Sequence, residues 1–346
     1  MFRALTLVAG LLLGPATAHS SIVATHTDAV VAQVRPTWSL TRTQFLGFSD
    51  TGEVLTRHFD DPEIKLLDPR TGQTTHDIRF PEAGQNMGVV ATSGDLRNQA
   101  WLNRAGDVLF IRTPTGRHAL GQSGLRGTQA LTFSPDGQTL AALNVNGYVQ
   151  LWDVAAGRRR ATLTLHSQPA GLAFDPRRPL LLVNERGQSG NGESSVTVWD
   201  VATGQPRGAL PGFHGTLRPF VFAPSGELIV PDRYSVGRVR FGLSDTGDLG
   251  LSRLTFPTYT EACPRGAPWK TCARGVSGAS FSADGTRALL NVGLGEHSGA
   301  LLYDLPGGRL LQVIPAVDSV VTLSPGGQTL ILHRFTGDLQ GAVLPE

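Results

Sequence analysis

Seven times along the chain, an apolar residue stands directly before a turn rich in Ser, Pro, Asp and Gly: Phe48, Ala91, Phe133, Phe174, Phe222, Phe281 and Leu323. Ten residues after each come His58, Trp101, Leu143, Asn184, Asp232, Asn291 and His333, and the next positions add Asn144, Glu185, Arg233 and Arg334. Asp232 with Asn184 and Asn291 offers the oxygen ligands that Ca²⁺ takes, although the spacing alone does not establish a metal site. His58 or His333 offers an imidazole able to act as a base near neutral pH. Glu185, Arg233 and Arg334 add charges suited to a small ligand or a protein partner. Strand ends that simply meet solvent require the same polarity, so both readings stand at this point.

Other candidates carry less. Asp60, Asp61 and Glu63 are a carboxylate group in a turn, suited to Ca²⁺ or to solvent. His166 and His214 occupy matching connections, where a hydrogen bond within the local fold is the simplest role. Arg158, Arg159 and Arg160 form too short a run to indicate nucleic-acid binding. Gly-x-Ser-x-Gly, His-Glu-x-x-His and Gly-x-x-x-x-Gly-Lys-Ser/Thr do not occur, so the common nucleophile, zinc-protease and phosphate-loop motifs give an enzyme no support and no catalytic residue is assigned. Cys263 and Cys272 are the only cysteines, and in an exported chain such a nearby pair reads as a disulfide.

The elements that position these residues are short strands. From Leu131 to Gly157 the chain reads strand, Ser-Pro-Asp-Gly turn, strand, Asn-Gly hairpin, strand, then Trp-Asp and another turn. The seven anchors are spaced by 43, 42, 41, 48, 59 and 42 residues, so imperfect copies of one unit of about 42 residues fill the chain. A second landmark ends the third strand of several units: Leu66-Leu67-Asp68, Leu151-Trp152-Asp153, Val198-Trp199-Asp200 and Leu302-Tyr303-Asp304. Each is followed by a turn closing on Gly72, Gly157, Gly204 or Gly308.

This period and the Trp-Asp ending resemble the WD40 repeat, in a degenerate form that also resembles quinoprotein-like propellers. Trp stands in only two units, and the polar tetrad of a strict repeat is incomplete. The resemblance implies an all-β, seven-bladed β-propeller of four-stranded antiparallel blades. Their expected limits are about 41–80, 88–122, 129–166, 170–212, 217–256, 277–314 and 319–346. The last unit has three strands, and Asp28–Val34 is expected to complete it and close the ring. In such a ring His58 and His333 come from neighbouring blades, and Asn184, Asp232 and Asn291 from three consecutive ones, so the named polar residues would meet at the rim of the channel.

The ends and the composition bound the setting. Arg3, the apolar run Ala4–Leu13 and Ala16-Thr17-Ala18 read as a signal peptide over residues 1–18. The expected product is a secreted or periplasmic single domain from 19 to 346. The formal charge is +2, which favours neither nucleic acid nor an anionic membrane, and no membrane span is expected. The leading expectation is a monomeric, non-catalytic binding scaffold without a cofactor, engaging a protein or small molecule through its irregular loops. The alternative is a metal-assisted propeller lactonase or hydrolase with its site at the channel rim.

Overall fold

The computed structural model describes residues 30–31, 34–59, 61, 63–80, 89–103, 105–121, 124–186, 193–214, 221–222, 228–231, 236–243, 249–255, 273–294, 297–304, 309–315, 319–334 and 336–344. The chain begins with two short strands, β1 (Val30–Val31) and β2 (Trp38–Leu40). The first blade follows with β3 (Thr43–Phe48), β4 (Val54–His58), β5 (Glu63–Leu67) and β6 (Thr74–Arg79). The second has β7 (Val90–Thr92), β8 (Gln99–Leu102), β9 (Val108–Thr113) and β10 (Gly116–Gly121). The third has β11 (Thr128–Phe133), β12 (Thr139–Asn144), β13 (Tyr148–Asp153) and β14 (Arg158–Thr164). The fourth has β15 (Pro169–Phe174), β16 (Leu180–Arg186), β17 (Glu193–Asp200) and β18 (Pro206–His214). The fifth has β19 (Val221–Phe222), β20 (Leu228–Pro231), β21 (Val236–Leu243) and β22 (Leu249–Thr255). Then come β23 (Ala273–Phe281), β24 (Arg287–Leu294), β25 (His297–Asp304) and β26 (Arg309–Pro315), and finally β27 (Ser319–Leu323), β28 (Thr329–Arg334) and β29 (Leu339–Val343).

The fold is an all-β propeller with six four-stranded blades, not the expected seven. The sheet built on β23–β26 has five strands, because β1 adds to its outer edge in parallel, with Val30 opposite Gln312 and Val31 opposite Val313. The closing strand is corrected with it. The last blade is completed by β2, which pairs antiparallel with β29 through Trp38↔Gly341, Ser39↔Gln340 and Leu40↔Leu339. Asp28–Val34 does not close the ring on β29; its described residues Val30–Val31 lie one sheet away.

Side-chain chemistry explains why Trp38 wins that place. Its indole N–H donates to the Pro69 carbonyl at 3.0 Å, and its ring fills the space that a Cβ at Gly341 or Gly72 would occupy. A side chain at Gly341 would start 2.1 Å from the indole, so only glycine admits the ring. Valines 30 and 31 have strand propensity but no such anchoring group.

The apolar cores lie between blades. Ala141, Leu143, Leu163, Leu181, Val183 and Trp199 pack across the third and fourth blades, and Leu289, Ile314, Leu323 and Leu330 across the five-stranded sheet and the last blade. The Trp-Asp element supplies both packing and turn. Trp152 is fully buried against the second blade, while Asp153 Oδ1 accepts the Ala156 N–H at 2.9 Å. Asp68 and Asp200 do the same for Thr71 and Thr203. The turn glycines then serve two ends. Gly72, Gly157 and Gly204 have φ of +68°, +59° and +69°, a region that favours glycine. At each, a Cβ would press on the outer strand of the preceding blade, at Trp38, His118 and Ala161 respectively.

The Ser-Pro-Asp-Gly turns are equally specific. Ser134 Oγ donates to Asp136 Oδ1 at 2.5 Å and accepts the Thr139 N–H at 2.9 Å; Ser93 and Ser282 repeat both bonds. The hydroxyls hold the Asp95 and Asp284 carboxyls below their ordinary range. This pattern also corrects the register of the second blade. Ser93 opens its turn, so Thr92 and not Ala91 holds the anchor position, and Leu102 replaces Trp101 ten residues on. A one-residue slip turns a strand side chain to the other face. Trp101 accordingly packs back on the first blade against Phe80, with Phe110 of its own blade stacked on it.

Candidate functional site

Antiparallel order assigns each turn to one of two faces. The first-to-second and third-to-fourth strand turns share one face; the second-to-third strand hairpins and the connections between blades share the other. The turn face is cross-braced: Asp50 N–H donates to the Gly94 carbonyl at 2.9 Å, Asn98 Nδ2 to Gly137 O at 3.2 Å, and Arg287 Nη1 to Gly327 O at 2.7 Å. Burial and the nearby Asp95 charge push the Asp50 carboxyl up, the cost of bringing two such turns together.

The sequence-predicted residues that the structure describes lie toward the hairpin face, and several have structural partners there. Asn291 is buried and bridges to the last blade: its Nδ2 donates to Val321 O and its Oδ1 accepts Val321 N–H, both at 2.7 Å. Glu185 is buried and accepts the N–H groups of His166 at 2.8 Å and Ser167 at 3.0 Å, together with the Thr197 hydroxyl. Asn144 holds the 124–127 connection, donating to Arg126 O at 2.8 Å and Gly124 O at 3.1 Å. These side chains secure the connections between blades. Asn184 is buried on β16 beside Glu185, opposite Gly171 and Val196.

His58 and His333 sit half-buried near the same junction of the first and last blades. His58 ends β4 opposite Thr43, whose N–H donates to Gly337 O at 2.7 Å in the hairpin that follows His333 and Arg334. Burial pushes the His333 imidazole down, favouring its neutral form. Arg334 is exposed, and its backbone closes the hairpin onto Asp338. Glu63 is engaged by Arg79 Nε at 2.7 Å, and the Asp61 N–H donates to His58 O at 3.3 Å. Asp60, Asp232, Arg233, Cys263 and Cys272 lie outside the described residues, as does the side chain of His214. Among the described residues, no group of three or more His, Cys, Asp or Glu side chains is placed to hold a metal ion.

The residues that sequence reasoning missed are apolar. Phe59, Val145 and Val320 are exposed at 44%, 45% and 36%, and all three lie on the hairpin face. Of the four exposed large hydrophobic side chains among the described residues, only Val343 lies toward the turn face. Phe59 sits over Gly337 at the junction that holds His58, and Val320 lies opposite His333. Single apolar residues at strand ends and hairpins carry no periodic signal, so only the fold reveals that these three share a face. A separate cavity of ≈ 180 Å³ is lined by Leu46, Gly47, Phe48, Val90, Thr92 and Leu131 among others. No titratable side chain lines it.

No protein-family model matches the chain. It is similar to two proteins of Deinococcus radiodurans, each called "Uncharacterized WD repeat-containing protein". One is 30% identical over 211 residues, covering 55% of this chain and 73% of the relative; the other is 31% identical over 222 residues, covering 59% and 80%. Among solved structures, Kuenenia stuttgartiensis hydrazine synthase aligns with a TM-score of 0.61 at 15% identity, over 86% of this chain and 94% of that one. The β-propeller domain of Myceliophteria thermophila Cps50 (Swd1) aligns with a TM-score of 0.66 at 12% identity, over 90% and 100%. At such identities these two speak for the fold alone. No helix among the described residues is long and apolar enough to cross a membrane.

Proposed function

The chain belongs to the WD-repeat proteins, and from that premise we propose that it is a non-catalytic scaffold engaging a protein partner through its hairpin face. The observation that carries this reading is the exposure of Phe59 and Val320 at the junction of the first and last blades, with Val145 exposed on the same face of the third blade. Exposed apolar side chains flanked by polar residues mark interaction surfaces. His58, His333 and Arg334 supply the polar flank at the junction of the first and last blades. The braced turn face supplies the rigidity that keeps these loops in place. We further propose that the protein is exported and loses residues 1–18, on the strength of the Ala16-Thr17-Ala18 pattern.

The test is a comparative capture from the exported fraction with wild type, Phe59→Asp/Val320→Asp and the turn-face variant Arg158→Glu. The expected outcome is a partner retained by wild type and Arg158→Glu and lost at least tenfold by the double variant. Equal retention by all three refutes the face. A mature chain that still begins before His19 refutes the cleavage.

A further inference from the structure

The cavity of ≈ 180 Å³ lies where the first and second blades meet, away from the hairpin face. Its walls come from β3, β7 and β11, the first strands of three successive blades, with Leu55 and Ile64 of the first blade behind them. Leu46, Leu55, Ile64, Val90 and Leu131 give it apolar surface, and no charged side chain lines it. A dry apolar cavity of about 150 Å³ holds benzene, so this one has room for a molecule of that order.

The corresponding place at another junction is filled by the chain itself. Between the five-stranded sheet and the last blade, Ser280 Oγ accepts the Leu323 N–H at 2.8 Å. Gly47 and Thr92 hold the same positions between the first and second blades. Ser280 and Gly47 each stand one residue before the end of their strand, opposite Leu289 and Leu55. Leu323 and Thr92 each end theirs, opposite Leu330 and Gln99.

Antiparallel alternation fixes where the Thr92 N–H points. The next residue, Ser93, donates its N–H to Asn98 O at 2.9 Å, so that of Thr92 turns away from β8. Leu323 is turned the same way, with Ser324 N–H donating to Thr329 O at 2.8 Å. Gly47 has no hydroxyl to meet the Thr92 N–H. It sits at a bulge with φ of +145°, a region that favours glycine, and a Cβ built on it would meet nothing within 4 Å. The place that Ser280 Oγ occupies at one junction is open space at the other.

We propose that this cavity binds a small uncharged molecule, an apolar ring or short chain whose carbonyl oxygen takes the Thr92 N–H as Ser280 Oγ takes that of Leu323. The apolar body lies against Leu46, Leu55, Ile64 and Val90. A charged ligand is disfavoured, because losing its water costs several kcal/mol or more and no side chain there offers an opposite charge. One polar anchor in an otherwise apolar pocket fixes orientation and discriminates among molecules of equal size.

The test uses the full chain, isotopically labelled for amide spectra, and three probes of nearly equal size. They are acetophenone, α-methylstyrene, which carries a CH₂ group where acetophenone has its oxygen, and benzoate, which is charged. Titration is expected to give saturable binding of acetophenone with a downfield shift of the Thr92 amide proton. Binding at least about tenfold weaker is expected for α-methylstyrene and for benzoate. Val90 packs toward the first blade, so Val90→Phe fills the cavity and is expected to weaken acetophenone binding at least about tenfold. Should Val90→Phe melt early, Thr92→Leu fills the same space with the N–H kept and carries the test. No saturable binding, or equal binding to wild type and the filled variant, overturns the site. Equal affinity for acetophenone and α-methylstyrene overturns the role of the Thr92 N–H, and benzoate bound as tightly as acetophenone overturns the neutral ligand.

Discussion

The two faces of the propeller use polar residues differently. On the turn face, Ser and Asp side chains bond within about five residues and Asn and Arg side chains brace one turn to the next, as Ser134 and Asn98 do. On the hairpin face Glu185 and Asn291 tie connections or strands 18 to 30 residues distant, each through a different arrangement. Apolar side chains there stand in solvent beside them. The first face repeats from blade to blade; the second is irregular. Repetition marks the scaffold, and departure from it marks the surface free to bind.

The largest expected effect tests the ring on which both faces depend. Gly341→Leu puts a side chain where the Trp38 indole lies, and unfolding by urea should show a loss of about 3 kcal/mol or more. A loss below about 1 kcal/mol would mean that Trp38 is not the closing group. Glu185→Ala comes next. It leaves the His166 and Ser167 N–H groups and the Thr197 hydroxyl without their acceptor, at a cost of about 2–3 kcal/mol by thermal melting.

On the turn face, the Arg207 guanidinium and the Thr203 N–H hold the Asp200 carboxyl down to about 2. The folded value lies below the unfolded one, so the stabilisation is complete above about pH 4 and is lost as pH falls toward 2. Asp200→Asn should cost about 1–2 kcal/mol at pH 7 and much less at pH 2.5, with Arg207 half-exposed to screening solvent. An equal loss at both pH values would exclude the ionic origin.

Trp152→Phe should cost only about 1–2 kcal/mol, all of it packing, because the buried Trp152 indole N–H has no hydrogen-bond partner among the described residues. Smallest in stability is Phe59→Asp, within about 0.5 kcal/mol, since the side chain is exposed; its expected effect is on partner capture. A large drop in melting temperature would show that Phe59 is part of the packing against Gly337 and not free for a partner.

Much of the scaffold could be read before any coordinates. The Ser-x-Asp turns and the Asp ending of the third strand are contacts within about five residues, so residue type and spacing suffice. The same local logic failed by one residue at Ala91, where Thr92-Ser93-Gly94-Asp95 offers two plausible registers and only the hydrogen bonds of Ser93 choose between them. The structural roles of the candidate residues were not legible in the sequence. Asn291 lies within β24 and Glu185 one residue from the end of β16, and their partners Val321, His166 and Ser167 stand 18 to 30 residues away, so nearby sequence carries no mark of them.

The sequence by itself determined the repeating unit and most of its turns, because those depend on short-range hydrogen bonds and alternation of apolar residues. Only the tertiary structure decided which N-terminal strand closes the ring and which one caps the five-stranded sheet. Both are extended and apolar, so propensity cannot rank them. The choice rests on whether an indole finds two glycines and a carbonyl contributed by residues 31 to 303 positions away, at Pro69, Gly72 and Gly341.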